Sequence, residues 1–227
     1  MEQNKLYGIF WVGDFDNYFL GHQFEEIFKL RIYAPYLETK KDAIVLDIGA
    51  NIGIFSLYAS KYAKQVYAIE PSQEHFDTLS RMILHNELKN IKPIKKAIYM
   101  KEELLDFYHN NNKTMYSLHQ NVEDRSQPIE RVEATTIEKL MQEEKIDHVD
   151  LLKIDIEGTE FEVLSHPSFQ KIADKIDVIV GEIHAWANRN PQQLVDALRG
   201  AGFIVETIPN DAQLFVARKP QSVGVKI

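Results

Sequence analysis

The sequence predicts an α/β fold, a mostly parallel sheet of seven strands closed by an antiparallel C-terminal hairpin. Two observations predict it. Three short apolar runs, Ala43 to Ile48, Gln65 to Ile69 and Val149 to Ile154, are each followed by turn residues and then a helical period, as in parallel strands joined by crossover helices. The last two strand candidates, Phe203 to Ile208 and Gln213 to Ala217, are separated only by Pro209-Asn210-Asp211-Ala212. That link is too short for a parallel crossover and implies an antiparallel pair.

The elements follow in order. Ile54 to Tyr62 is rich in good helix formers. After Pro71-Ser72, residues Phe76, Leu79, Met82 and Ile83 share one helical face, so Ser72 is the expected N-cap. Ile91 to Ile94 reads as a fourth strand, weakened by Lys92 and Pro93. Residues 99 to 134 break the alternation around a polar tip, Asn110-Asn111-Asn112-Lys113, and read as a hairpin or loop insertion over one sheet edge. Thr135-Thr136-Ile137-Glu138 reads as a capping box opening a helix through Glu144. Ile176 to Ile183 is the fifth strand; Asn190 and Pro191 then start a helix that Gly200 and Gly202 end. One domain is expected over residues 1–227, with a lead-in at 1–40, a core at 41–219 and a tail at 220–227.

Composition narrows the function. Hydrophobic residues are 44% and charged residues 26% of the 227, enough apolar material for a full core. Acidic residues outnumber basic ones, 34 to 26, for a formal charge of −8, which argues against nucleic acid as the main partner. Without cysteine there is no disulfide framework, thiolate nucleophile or zinc-thiolate site. The start, Met1-Glu2-Gln3-Asn4-Lys5, lacks a signal-peptide pattern, and no apolar run approaches the roughly 18 residues of a membrane span. A soluble cytoplasmic protein is expected.

Four motifs carry chemistry. In Val45-Leu46-Asp47-Ile48-Gly49-Ala50-Asn51-Ile52-Gly53 a strand enters a tight glycine turn and then a helix, with Asp47 at the strand end. Asn51 stands where a dinucleotide fingerprint has its second glycine, which favours an amino acid-like group over a pyrophosphate at this turn. Glu70 closes the next strand 23 positions after Asp47, near the offset at which an acid accepts hydrogen bonds from a ribose; its alternative is a helix N-terminal charge. In Lys153-Ile154-Asp155-Ile156-Glu157-Gly158-Thr159-Glu160 alternation turns Lys153, Asp155 and Glu157 to one side at a strand's carboxyl end, as an active edge or an ion-pair network. Gly181-Glu182-Ile183-His184 ends the neighbouring strand, and His184 is the one of eight histidines at that edge.

Taken together, GANIG, AIEPS, Asn86, KIDIEGTE and GEIH resemble the FkbM family of S-adenosylmethionine-dependent O-methyltransferases, in order from about Gly21 to Lys219. Gly21-His22-Gln23-Phe24-Glu25 and Tyr116-Ser117-Leu118 are similar to further stretches of that family. The resemblance implies a Rossmann-like class I methyltransferase fold and methyl transfer to a hydroxyl of a sugar, glycan, polyketide or related metabolite. It further implies that Gly49, Asn51 and Gly53 face the methionine moiety of S-adenosyl-L-methionine, with Asp47 supporting the loop or the amino group. Glu70 would hold the ribose, and Ser72 and the backbone at Ala97 would sit by the adenine. His184 is the first choice of base, Asp155 or Glu182 orients it, and Lys153 offsets developing negative charge. A metal-free route is expected; were a divalent ion present, Asp155, Glu182 and His184 would be its ligands. The insertion is expected to shape the acceptor pocket rather than the cofactor site. An RNA or protein methyltransferase and a non-catalytic cofactor-binding module remain the alternatives. No Asn/Asp-Pro-Pro-aromatic motif stands at Asp155 to Gly158 to favour N-methylation.

Overall fold

The computed structural model describes residues 4–6, 9–11, 27–28, 31–38, 40–109, 116–118, 130–184, 190–207 and 214–220. The Gly21 to Glu25 segment, the tip at Asn110 to Lys113 and the Pro209 to Ala212 link lie outside them. Two short strands, β1 (Asn4–Leu6) and β2 (Ile9–Trp11), pair antiparallel ahead of α1 (Ala34–Leu37). Then come β3 (Ala43–Ile48), α2 (Ile54–Ala59), β4 (Ala63–Ile69), α3 (Gln73–His85) and β5 (Ile91–Ile94). β6 (Ala97–Ile98) leads into the insertion, which supplies β7 (Glu103–His109), β8 (Tyr116–Ser117) and most of β9 (Glu130–Thr135). The remaining elements are α4 (Ile137–Glu143), β10 (Val149–Ile154), α5 (Glu160–Ser165), α6 (Pro167–Gln170), β11 (Ile176–Glu182), α7 (Pro191–Gly200), β12 (Ile204–Thr207) and β13 (Leu214–Arg218).

The main sheet has seven strands in the order β12-β13-β11-β10-β3-β4-β5. β11, β10, β3, β4 and β5 pair in parallel, whereas β13 runs antiparallel to both β11 and β12, as the short link requires. Both faces are covered, which explains why the central strands are nearly continuous apolar runs. Alternation sends Val45, Val66, Leu151 and Val180 to the face packed by α1, α2 and α3. It sends Leu46, Ile48, Leu152, Ile154 and Ile179 to the face under α4, α5 and α7. Truncating a fully buried residue such as Leu46 or Leu152 to alanine costs about 2–5 kcal/mol.

Register decides where function can sit. Lys153 lies opposite Asp47 and Val180, Ile154 opposite Ile48 and Gly181, and Ile48 opposite Ile69. Four carboxyl ends are therefore level, so Gly49, Glu70 and Asp155, which follow β3, β4 and β10, share one edge with Glu182, the last residue of β11. In open α/β sheets that edge is where ligands bind.

Three local expectations are corrected. Helix α2 stops at Ala59 rather than Tyr62, because Ala63 already pairs with Ala43 and the chain must turn first. The cap of α4 is Thr136, whose side chain accepts from the Lys139 amide; Thr135 is the last residue of β9 and cannot also cap. The insertion is a separate four-stranded sheet, β6-β9-β7-β8, with its own small core of Ala97, Phe107, Val132 and Ala134. Ser72 caps α3 and Asn190 caps α7, as read from the sequence. Among the described residues no helix is long and apolar enough to cross a membrane.

Candidate active site

The turn after β3 is held by backbone contacts. Gly49 has φ +78°, and a Cβ there would stand 1.8 Å from the Asp155 carbonyl oxygen, so only glycine lets the ends of β3 and β10 close. The amides of Gly49 and Ala50 both donate to the Ile69 carbonyl, at 3.0 and 2.9 Å. Asn51 takes the left-handed conformation, φ 51°, and its Oδ1 accepts from the Ile52 amide at 2.8 Å. Gly53 serves packing: a Cβ would meet Leu79 Cδ1 at 2.4 Å.

Glu70 links this turn to the next one. Its Oε2 accepts from the Asn51 amide at 2.8 Å and its Oε1 from the Ser72 amide at 2.9 Å. Burial pushes its carboxyl up to about 7 against those two bonds. His75, which the sequence reading did not single out, places Nδ1 3.9 Å from Oε1.

Below the turn lies a buried ion network. Asp47 is fully buried; its Oδ2 accepts from Ser56 Oγ at 2.6 Å, and its Oδ1 is 3.6 Å from Lys153 Nζ. Lys153 also donates to the Gly49 carbonyl at 3.1 Å and to Asp155 Oδ2 at 3.4 Å. Burial works against the ammonium, but Asp155 and Asp47 outweigh it and hold Lys153 charged. Asp47 thus supports the loop from beneath. Tyr33, another residue the sequence reading missed, is buried close enough to feel Lys153, Asp155, Glu182 and Asp47.

At the neighbouring strand end four carboxylates surround His184. Nδ1 lies 3.0 Å from Glu160 Oε1; Nε2 lies 3.5 Å from Glu182, 3.6 Å from Glu157 and 3.9 Å from Asp155. Glu160 is fully buried at the first position of α5, and it also accepts the amides of Ile156 and Gly158, both at 2.8 Å. An acid beside a glycine at a helix start reads from sequence as a helix charge, which is why its contact with His184 was not visible there. Burial pulls His184 down, but the Glu160 bond and the charges of Glu160, Glu157 and Asp155 outweigh it and raise it to about 9. An imidazolium has no lone pair for a hydroxyl proton, so a base role for His184 requires that its proton be lost first. Burial, then Asp155, raises Glu157 to about 7.

One open cavity joins these parts. Gly49, Asn51 and Glu70 line one stretch, Asp155, Ile156, Glu157 and Thr159 another, and Ala97, Ile98, Phe107 and Leu118 form an apolar wall. Of the residues singled out from sequence, Gly49, Asn51, Glu70, Ala97, Asp155 and Glu157 line it; Asp47, Gly53, Ser72 and Lys153 support it from outside. His184 and Glu182 are outside the lining, although His184 is in reach of its carboxylates. The insertion brings Phe107 and Leu118 to the one cavity that holds both Glu70 and Asp155.

Comparison with known proteins identifies the family and the fold. The family model described as "Methyltransferase FkbM domain" matches residues 47–205. Methyltransferase 1 of Beauveria bassiana is 30% identical over 168 residues, covering 62% of this chain. The chain spans 64% of that relative's length. The crystal structure of methyltransferase FkbM from Methylobacillus flagellatus KT superimposes with a TM-score of 0.53 at 15% identity, over 78% of this chain and 43% of that one. SMU.1697c from Streptococcus mutans, solved in complex with SAH, gives 0.52 at 10% identity over 83% and 94%. At these identities the structural likeness shows the fold, that of class I methyltransferases.

Proposed function

We propose, from the premise that the chain belongs to the FkbM methyltransferase family, that it transfers the methyl group of S-adenosyl-L-methionine to a hydroxyl of a sugar, glycan or related metabolite. The observation that carries this reading is the single cavity that runs from Gly49, Asn51 and Glu70 to Asp155 and Glu157. The lining fits the cofactor. Each Glu70 oxygen accepts one amide and keeps a lone pair for a ribose hydroxyl, and the apolar wall of Ala97, Ile98, Phe107 and Leu118 suits a base. When bound, the cofactor supplies a methyl carbon already activated by its sulfonium.

The protein's share is then alignment and proton removal. The close approach of Gly49 to Asp155 fixes the distance between the two ends of the cavity. Lys153, held between Asp47 and Asp155, keeps those acids from repelling each other. The acceptor oxygen binds among Asp155, Glu157, Glu182 and His184. Its proton would leave into that cluster as its lone pair takes up the methyl group that the bound cofactor would supply.

The test has two stages. Calorimetry should show S-adenosyl-L-methionine and its demethylated product binding, and NAD not. Cofactor labelled in the methyl group, incubated with glycans, polyketides and RNA, should pass label to a hydroxyl-bearing metabolite. Label in RNA, or tight NAD binding with no heat from S-adenosyl-L-methionine, overturns the reading.

A further inference from the structure

We propose that Asp155, Glu157 and His184 form a divalent-cation site, suited to Mg²⁺ or Mn²⁺, at the acceptor end of the cavity. The proposal deepens the reading above and rests on it for the identity of that end.

Three observations carry it. First, one ligand atom from each of the three residues lies within 4.8 Å of the other two. Asp155 Oδ1 and Glu157 Oε2 are 3.9 and 3.6 Å from His184 Nε2. These distances are beyond the roughly 2.7–3.2 Å of a good N–H···O bond. They leave an ion room between the three atoms, which would have to draw a few tenths of an ångström closer to ligate it at about 2.0–2.2 Å.

Second, the other ring nitrogen is already committed. Glu160 accepts the Ile156 and Gly158 amides as well as Nδ1, so its carboxylate acts as an acceptor and Nδ1 as the donor. A carboxylate that fixes one imidazole nitrogen and turns the other outward is the arrangement behind most metal-bound histidines. Asp155 is divided in the same way: Oδ2 meets Lys153 Nζ at 3.4 Å, and Oδ1 faces the imidazole.

Third, Thr159 lines the same stretch of cavity, is fully buried, and its Oγ1 has no hydrogen-bond partner among the described residues. A buried hydroxyl with nothing to bond marks a place where a ligand or its water belongs.

Two carboxylates and one imidazole suit a hard cation that tolerates nitrogen, with Mn²⁺ held more tightly than Mg²⁺. Such an ion would bind the acceptor oxygen and lower its hold on its proton. The proton would pass to Glu182, whose side chain reaches solvent and whose Oε2 lies 3.5 Å from Nε2; the ion is unchanged by the transfer.

The experiment is titration of the full chain with Mn²⁺, read as loss of the free-ion electron paramagnetic resonance signal and by calorimetry. One saturable site is expected. Asp155→Asn, Glu157→Gln and His184→Gln should each weaken it at least as much as Glu160→Gln, which should cost about 10- to 100-fold through the histidine. Asp150→Asn, outside the cavity, should leave it unchanged. Far-ultraviolet circular dichroism and thermal melting identify any variant that has failed to fold, and Glu157→Gln, at a partly exposed position, is the variant that decides. Absence of a saturable site, or one that survives Glu157→Gln and His184→Gln in folded protein, overturns the proposal. S-adenosyl-L-methionine binding is measured separately. Cofactor binding without Mn²⁺ overturns the cation site alone; Mn²⁺ binding without cofactor overturns the methyl-transfer reading alone.

Discussion

Strands β10 and β11 carry histidine and acidic residues near both of their ends, and the two groups differ in where a lysine sits. Near the amino end, Lys40 Nζ lies between Asp150 Oδ1, at 3.0 Å, and Asp177 Oδ2, at 2.6 Å. The Ile44 amide takes Asp150 Oδ2 at 2.8 Å, and His148 approaches Asp177 at 3.3 Å. Burial works against Asp177, but Lys40 and His148 hold its carboxyl below the ordinary range. That group is closed on itself. At the carboxyl end Lys153 is drawn down toward Asp47 and the Gly49 carbonyl, and it touches Asp155 through one oxygen only. A cation in the middle of a group ends its chemistry; a cation drawn aside by a second buried acid leaves the rest of the group facing outward.

The largest expected difference is in turnover. His184→Ala should lower methyl transfer by about 10²- to 10⁴-fold with cofactor affinity kept, as single-turnover kinetics and calorimetry would show. His148→Ala should change neither, and an equal loss there would erase the contrast between the two ends. Stability should separate the lysines next. Lys153→Met leaves Asp47 fully buried without its counter-charge and should cost about 3–5 kcal/mol in denaturant unfolding. Lys40→Met, at a partly exposed pair, should cost about 1 kcal/mol or less.

Smaller effects test how far the carboxyl-end site extends. Glu70→Gln should weaken S-adenosyl-L-methionine by about 1–3 kcal/mol at pH 8, the range for bonds to a charged group. Because burial holds Glu70 near 7, it is neutral below that pH and charged above it. Wild-type affinity should therefore fall as pH drops from 8 to 6, by up to about tenfold, and the variant should show no such fall. Phe107→Ala should weaken the cofactor by about 1 kcal/mol, the scale of one aromatic contact. An acceptor effect without a cofactor effect would leave the insertion the role first expected of it.

Much of this was readable before the structure. The limits of β3 and β10 agree with their runs, because both strands lie inside the sheet and are buried on both faces. Gly49, Asn51, Glu70 and Asp155 meet in one cavity because parallel register levels the strand ends they follow. Long-range contacts were not readable. Nothing local ties Glu160 to His184 across 24 positions, or Tyr33 to Lys153. Nor does local pattern show that Phe107, halfway along an insertion, turns back to the cavity. Thr135 and Thr136 are equal as caps in sequence, and only the end of β9 chooses between them.

The seam between Gly49 and Asp155 has a consequence for how such an enzyme could diversify. The Asp155 amide donates to the Ile48 carbonyl at 3.0 Å, and its own carbonyl fills the space a Gly49 side chain would need. The loops after β3 and β10 are thus pinned to each other by main chain, which no side-chain substitution can lengthen or shorten. The spacing of the two loops is inherited whole, and variation in the cavity is left to its rim, where Phe107 and Leu118 belong to the core of a separate sheet.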